Sequence, residues 1–199
     1  VLLMARQAGA RSVCAADVTR YHSAETARRS GIDYRIYDGR ELPFADASQD
    51  LVWACYCLQH FRYPAVSMQE IARVLRPGGR LVCRVDLRDH YHMFVPGRQY
   101  DCWKHAPRTW RWMTWNRSSF VNRLRTDEWL ALLRDAALQS IARRERRAAA
   151  ALALAWVLHR QGVIAIPQTA DPAHLAVNRR AVAEGLAAAT AVALAEAFP

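Results

Sequence analysis

Residues 50–86 run Asp50-Leu-Val-Trp-Ala-Cys-Tyr-Cys-Leu58, Gln59-His-Phe-Arg62, Tyr63-Pro-Ala-Val-Ser-Met-Gln-Glu-Ile-Ala-Arg-Val-Leu75, Arg76-Pro-Gly-Gly79 and Arg80-Leu-Val-Cys-Arg-Val-Asp86. The first piece is a short, nearly unbroken apolar run, the pattern of a strand buried on both faces. The third places Val66, Met68, Ile71, Val74 and Leu75 along an amphipathic helix. Pro-Gly-Gly stops that helix and turns the chain, and residues 80–85 alternate as a strand. Together they form a strand–helix–strand unit, whose right-handed crossover leaves the strands parallel.

The same alternation extends towards the N-terminus. Residues 1–8 read as helix with Gly9 as its stop, 11–18 as a strand closed by Asp17, 23–29 as helix ended by Gly31, and 34–37 as a strand closed by Asp38-Gly39. Pro43 keeps Leu42 extended. This predicts an α/β fold: a parallel, Rossmann-like sheet with helices on both faces. Ligands of such sheets bind beyond the carboxyl ends of the strands, which directs attention to Asp17, Asp38 and the stretch after Ala54. Asp17 is placed to accept hydrogen bonds from a nucleoside's ribose hydroxyls, or to cap the next helix. Asp38 with Gly39 either faces an adenine or makes an ordinary turn.

Composition narrows the function classes. The 199 residues carry +10, yet 27 of the 28 basic residues are Arg, and 13 of the 28 fall in residues 88–147. With the high alanine content, that skew reads as genome composition and disfavours nucleic acid as a partner. A nucleic-acid-binding module remains an alternative, resting on the charge and on Trp103, Trp110, Trp112 and Trp115, which are expected as a lid or core. No apolar run reaches the roughly 18 residues of a membrane span. The five Cys lack metal-ligand spacing, so reduced thiols and a cytoplasmic setting are expected. His90-x-His92 has no third ligand in view, and no metal is expected. No nucleophile elbow is present and no catalytic residue can be named. An amphipathic helix is predicted over 122–137, followed by an exposed charged joint at 143–147. Beyond it an Ala-rich helix, a strand at 163–167 and two further helical stretches are predicted.

The run from Asp38 to Val52, with Leu42-Pro-Phe44, Asp46 and Asp50, resembles the signature of the type 11 family of small-molecule methyltransferases. Leu58-Gln-His60 and Glu70-Ile-Ala-Arg-Val-Leu-Arg-Pro-Gly-Gly79 are similar to its following landmarks. The resemblance implies S-adenosylmethionine as methyl donor and a small-molecule substrate. Asp17 would hold the ribose, Asp38 and Gly39 would frame the adenine, and Cys55 and Tyr56 would flank the methionine moiety. His60 would be a structural histidine. The family's first strand and G-x-G-x-G loop have no counterpart within these residues. A core truncated at its N-terminus, with activity impaired or lost, is therefore expected. Three segments follow: 1–86 as the methyltransferase core, 87–146 as the C-terminal part of that domain, and 147–199 as a tail. The tail, from Ala151-Leu-Ala-Leu-Ala-Trp-Val-Leu158 through Gly162-Val-Ile-Ala-Ile-Pro167 to Ala197-Phe-Pro199, resembles the end of aldo-keto reductases. That resemblance implies NADP contacts at Gln168, Thr169, His174 and Asn178, and an NADP-dependent reductase fragment as the alternative enzyme.

Overall fold

A computed structural model describes residues 2–19, 24–89, 97–115, 120–159, 165 and 171–198. The chain divides into two compact units, 1–126 and 127–199.

The first unit is α/β. It runs α1 (Leu2–Gln7), β1 (Cys14–Asp17), α2 (Ala24–Ser30), β2 (Asp33–Ile36), β3 (Gln49–Cys55), a 3-10 turn (Leu58–His60), α3 (Pro64–Val74), β4 (Leu75–Arg84), a second 3-10 turn (Asp101–Lys104) and α4 (Pro107–Met113). The crossovers behave as the sequence pattern requires. β1 pairs parallel with β2, Cys14 opposite Asp33 and Asp17 opposite Ile36. β3 pairs parallel with β4, Leu51 opposite Arg80 and Cys55 opposite Arg84. The two pairs do not join into one ladder among the described residues. A side-chain hydrogen bond, Cys14 Sγ to Gln49 Oε1 at 3.5 Å, links β1 to β3.

Several expectations are refined. The apolar run of β3 is not buried on both faces. Ala54 is buried and Val52 half-buried, whereas Leu51 (52%) and Trp53 (49%) are exposed. A two-stranded sheet with one packed face gives this alternation. Helix α3 starts with Pro64 at its first position, where the missing N–H costs nothing, and buries Ser67, Met68, Ile71 and Val74. Val66 lies off that stripe and is exposed. Leu75 leaves the helix and opens β4.

Residues 76–79 loop out of the β3–β4 ladder, so the partner of Gln49 is Leu75 while that of Leu51 is Arg80. Gly78 sits at φ +79°. A Cβ on Gly79 would lie 2.9 Å from the Arg76 carbonyl oxygen and 3.1 Å from that of Gln49. Only glycine fits there.

The motif halves on either side of β3 meet through one arginine. Arg73 Nε and Nη2 grip Glu70 as a fork, at 2.8 and 2.7 Å. Arg73 Nη2 also donates to the Leu42 carbonyl (2.9 Å), and Nη1 donates to the Phe44 carbonyl (2.9 Å) and Asp46 Oδ1 (2.7 Å). Glu70 Oε2 accepts from the Leu42 amide at 2.8 Å. This network ties the Leu42–Asp46 loop to α3, which explains why the two motifs occur together.

Of the four tryptophans expected as lid or core, Trp110 is core. It packs with Cys102 and Val121 and donates from Nε1 to the Val121 carbonyl at 3.0 Å. Trp112 (76%) and Trp115 (70%) are exposed.

The second unit is helical: α5 (Thr126–Arg144), α6 (Ala149–Leu158), α7 (Pro172–Glu184) and α8 (Ala188–Ala197). Asp127 and Glu128 in the first turn of α5, and Arg143 and Arg144 in its last, match the helix dipole. The helix starts and ends later than its periodicity suggested, because Asn122 is used elsewhere and the charged joint completes its last turn. Ile141 and Ala142 of α5 share a core with Leu152 of α6 and Leu194 of α8, and Trp156 packs against it. Thus α5, grouped by sequence with 87–146, packs with the tail helices. Asp171 caps α7 through the Ala173 amide at 2.8 Å, with Pro172 at the first position. The strand expected at 163–167 lies outside the described residues, except Ala165, which is in no regular element.

Candidate functional site

The carboxyl ends of the two parallel strand pairs carry the candidate side chains of the first unit. Asp17 is the last residue of β1. Asp38 follows β2 by two residues, after Tyr37 extends the pairing by donating to the Asp17 carbonyl at 3.0 Å. The two acids therefore sit at the same end of adjacent strands, as the sequence pattern requires.

Their settings differ. Asp17 is half-buried, and its Oδ1 accepts from the Thr19 amide at 3.2 Å. Its Oδ2 has no hydrogen-bond partner among the described residues. Asp38 is exposed, and its Oδ1 accepts from the Arg40 and Glu41 amides at 2.8 and 3.1 Å. Those amides hold its carboxyl below the usual carboxylate range. The turn reading of Asp38 is thus realised, with Oδ2 left over. Gly39 has φ +80°, and a Cβ there would come 3.2 Å from Val18 Cγ1, so the exits of β1 and β2 touch.

Cys55 ends β3. Tyr56, at φ +58°, donates its amide to the Arg84 carbonyl at 2.7 Å. Beyond it, the 3-10 turn is clasped by residues 120–122. The Asn122 amide donates to the Gln59 carbonyl (2.8 Å), and Asn122 Nδ2 donates to the Leu58 (2.9 Å) and Phe61 (3.2 Å) carbonyls. His60 Nδ1 lies 2.6 Å from the Phe120 carbonyl, to which it donates. The half-buried His60 thus has a structural partner.

Tyr37 and Cys57, which sequence reasoning passed over, belong to this group. Burial pushes the Tyr37 phenol up to about 12, reinforced by Cys57, Asp17 and Asp38. Burial pushes the Cys57 thiol up to about 11, reinforced by Cys55, Asp17 and Cys83. These mutual influences place Tyr37, Cys57 and Asp17 around one small region. The available signal was positional: Tyr37 directly follows β2, and Cys57 stands two residues past β3. The arrangement offers a carboxylate pair, a glycine-bounded floor and neutral phenol and thiol groups, which suits binding and alignment of a ligand.

Residues 1–83 match the family described as a methyltransferase domain. The chain is 36% identical over 84 residues to the ubiquinone/menaquinone biosynthesis C-methyltransferase UbiE of Desulfotalea psychrophila, spanning 41% of this chain and 34% of that protein. The uncharacterized protein YafE of Escherichia coli is 31% identical over 116 residues, 58% of this chain and 51% of its own. Among solved structures, the YcgJ protein from Bacillus subtilis aligns with TM-score 0.47 and 20% identity, covering 64% of this chain and 52% of that one. The chain spans a third to a half of the length of these two curated relatives.

Only part of the reductase-like tail falls among the described residues. Gln168 and Thr169 lie outside the described residues, as do His90 and His92. His174 is exposed in the first turn of α7, 3.9 Å from Asp171, and Asn178 is half-buried one turn later. No helix among the described residues is long and apolar enough to cross a membrane.

Proposed function

We propose that the first unit is the nucleoside-binding and acceptor-binding part of an S-adenosylmethionine-dependent methyltransferase acting on a small molecule in the cytoplasm. The observation carrying this is the half-buried Asp17 carboxylate, whose Oδ2 has no hydrogen-bond partner among the described residues, beside Asp38-Gly39 at the mouth of two parallel strands. A ribose diol presents two hydroxyl donors, which such a carboxylate accepts. Gly39 keeps the floor open where an adenine ring would lie. Asp38 Oδ2 faces its exocyclic amine, and Cys55 with Tyr56 flanks the methionine part.

When bound, S-adenosylmethionine supplies an electrophilic methyl group. The acceptor's lone pair would take that methyl group as the sulfonium becomes a neutral thioether, while Asp17, Asp38 and Gly39 would hold the donor's adenosine end. The chain's own residues have no covalent part to play. They align the partners and exclude water. The interruption between β1 and β3 is where the family resemblance puts the strand bearing the glycine loop, and the residues on either side of it carry the groups for adenosine recognition. Calorimetric titration with adenosine and with S-adenosylhomocysteine tests this. Both bind weakly, within about threefold of each other, and Asp17→Ala lowers both about tenfold, the worth of one charge-assisted hydrogen bond. Unchanged binding by Asp17→Ala overturns the assignment.

A further inference from the structure

Next to the adenosine-facing group, the carboxyl ends of β3 and β4 carry a cation that nothing described so far uses. Arg84 is the last residue of β4 and stands opposite Cys55. Its side chain is exposed and has no carboxylate partner among the described residues. Its guanidinium lies over the Tyr56 ring, 4.9 Å from the centroid. The backbone fixes the pair from below, because the Tyr56 amide donates to the Arg84 carbonyl at 2.7 Å. Tyr56 is itself half exposed (48%). Of the two carboxylates along β4's exit, Asp89 is buried, and Asp86 is gripped by Arg88, whose Nε and Nη2 reach it at 2.9 and 2.8 Å. Both the Tyr56 and the Tyr100 phenol lie within electrostatic reach of Arg88. The exit of β4 therefore presents an unneutralised guanidinium, a neutralised ion pair and two exposed phenol rings.

From this geometry we infer that the methyl acceptor carries an anionic group, a carboxylate or a phosphate, on a flat body, with Arg84 as its anchor and Tyr56 as its platform. The inference rests on the methyltransferase reading for what happens to the acceptor, not for its binding. A planar guanidinium already stacked on a ring loses little freedom when it forks onto a carboxylate or phosphate. The ring beneath offers a flat apolar face to an aromatic or conjugated body. The position suits transfer, since Cys57, just past the end of β3, lies within electrostatic reach of Asp17 at the end of β1.

The test uses the full chain and three probes of one shape: benzoate, phenyl phosphate and benzamide. Binding is followed by ligand-observed NMR at fixed ionic strength. Benzoate or phenyl phosphate binds better than neutral benzamide. Arg84→Gln weakens the anions about five- to tenfold and leaves benzamide unchanged, and Arg84→Lys restores part of the loss. Arg144→Gln in the helical unit serves as a control for net charge and changes nothing. Equal binding of all three probes, no binding of either anion, or equal losses in Arg84→Gln and Arg144→Gln overturns the inference. Adenosine titration of the same variants keeps the two readings apart. Arg84→Gln leaves adenosine affinity intact, so a wild type that binds adenosine but does not prefer the anions over benzamide refutes only the acceptor assignment.

Discussion

Replacing Arg73 by Ala is expected to cost more than any surface substitution in the first unit. Arg73 makes five hydrogen bonds, two of them a fork onto Glu70 and two onto the carbonyls of Leu42 and Phe44. Its side chain is 19% exposed and that of Glu70 is 16% exposed, whereas Asp46 is 78% exposed. The Asp46 contact therefore contributes little. The loss arises because Glu70 keeps only the Leu42 amide, and its half of a largely buried pair is left without a countercharge. Breaking such a pair costs about 3–5 kcal/mol. Arg73→Lys keeps the charge but neither the fork nor both carbonyl bonds, and should cost about 2 kcal/mol. Urea unfolding followed by tryptophan fluorescence measures both. The Glu70→Gln and Arg73→Ala double mutant should cost less than the sum of the single changes. Acid provides an independent check. Arg73 holds the Glu70 carboxyl below its ordinary value of 4.5, so the ionised folded form is favoured. Its stabilisation is complete above that value and is lost as pH falls through the lower folded value. The advantage of the wild type over Glu70→Gln should shrink in the same window. A loss under 1 kcal/mol for Arg73→Ala, or strict additivity with Glu70→Gln, would refute the view that this network locks the loop to α3.

Two further outcomes follow from local geometry. Gly79→Ala, whose Cβ would meet two backbone carbonyl oxygens at 2.9 and 3.1 Å, should destabilise the first unit by about 1–3 kcal/mol, whereas Gly9→Ala meets no atom within 4 Å and suffers only the strain of its positive φ. Equal effects in urea unfolding would contradict this. The Cys57 thiol, raised to about 11 from 9.0, should react with iodoacetamide at pH 8 about a hundredfold more slowly in the folded protein than in urea. Its neutral form favours folding below pH 9, and that contribution fades as pH rises through about 11. Comparable alkylation rates, read by mass spectrometry, would contradict the burial of Cys57.

Much of the α/β unit was legible because its signals are local. Alternating apolar runs and Gly or Pro stops give β1 to β4 and α1 to α3, and strand-end acids are visible as punctuation. What escaped depends on contacts far apart in sequence. Nothing near Leu51 or Trp53 reveals that one face of β3 is open. The role of Arg73 appears only when α3 meets the Leu42–Asp46 loop. Asn122 looks like a helix start, yet its amide side chain serves carbonyls some sixty residues earlier. Tyr37 and Cys57 join Asp17 because three strand ends converge. The grouping of α5 with α6 and α8 depends on which apolar face is matched, and periodicity does not record that.

The central claim is that Asp17 and Asp38-Gly39 recognise the adenosine end of S-adenosylmethionine, while its amino-acid end needs a glycine loop not found in residues 1–199. The most direct measurement compares S-adenosylhomocysteine and adenosine on this chain and on one carrying an added strand with G-x-G-x-G ahead of Leu2. The added loop lets backbone approach the amino-acid end closely, as no residue with a Cβ permits. It should raise S-adenosylhomocysteine affinity about a hundredfold, roughly 3 kcal/mol, with adenosine affinity nearly unchanged. Micromolar binding of S-adenosylhomocysteine without the loop would contradict the need for it, and no gain with the loop would contradict the methyltransferase reading itself.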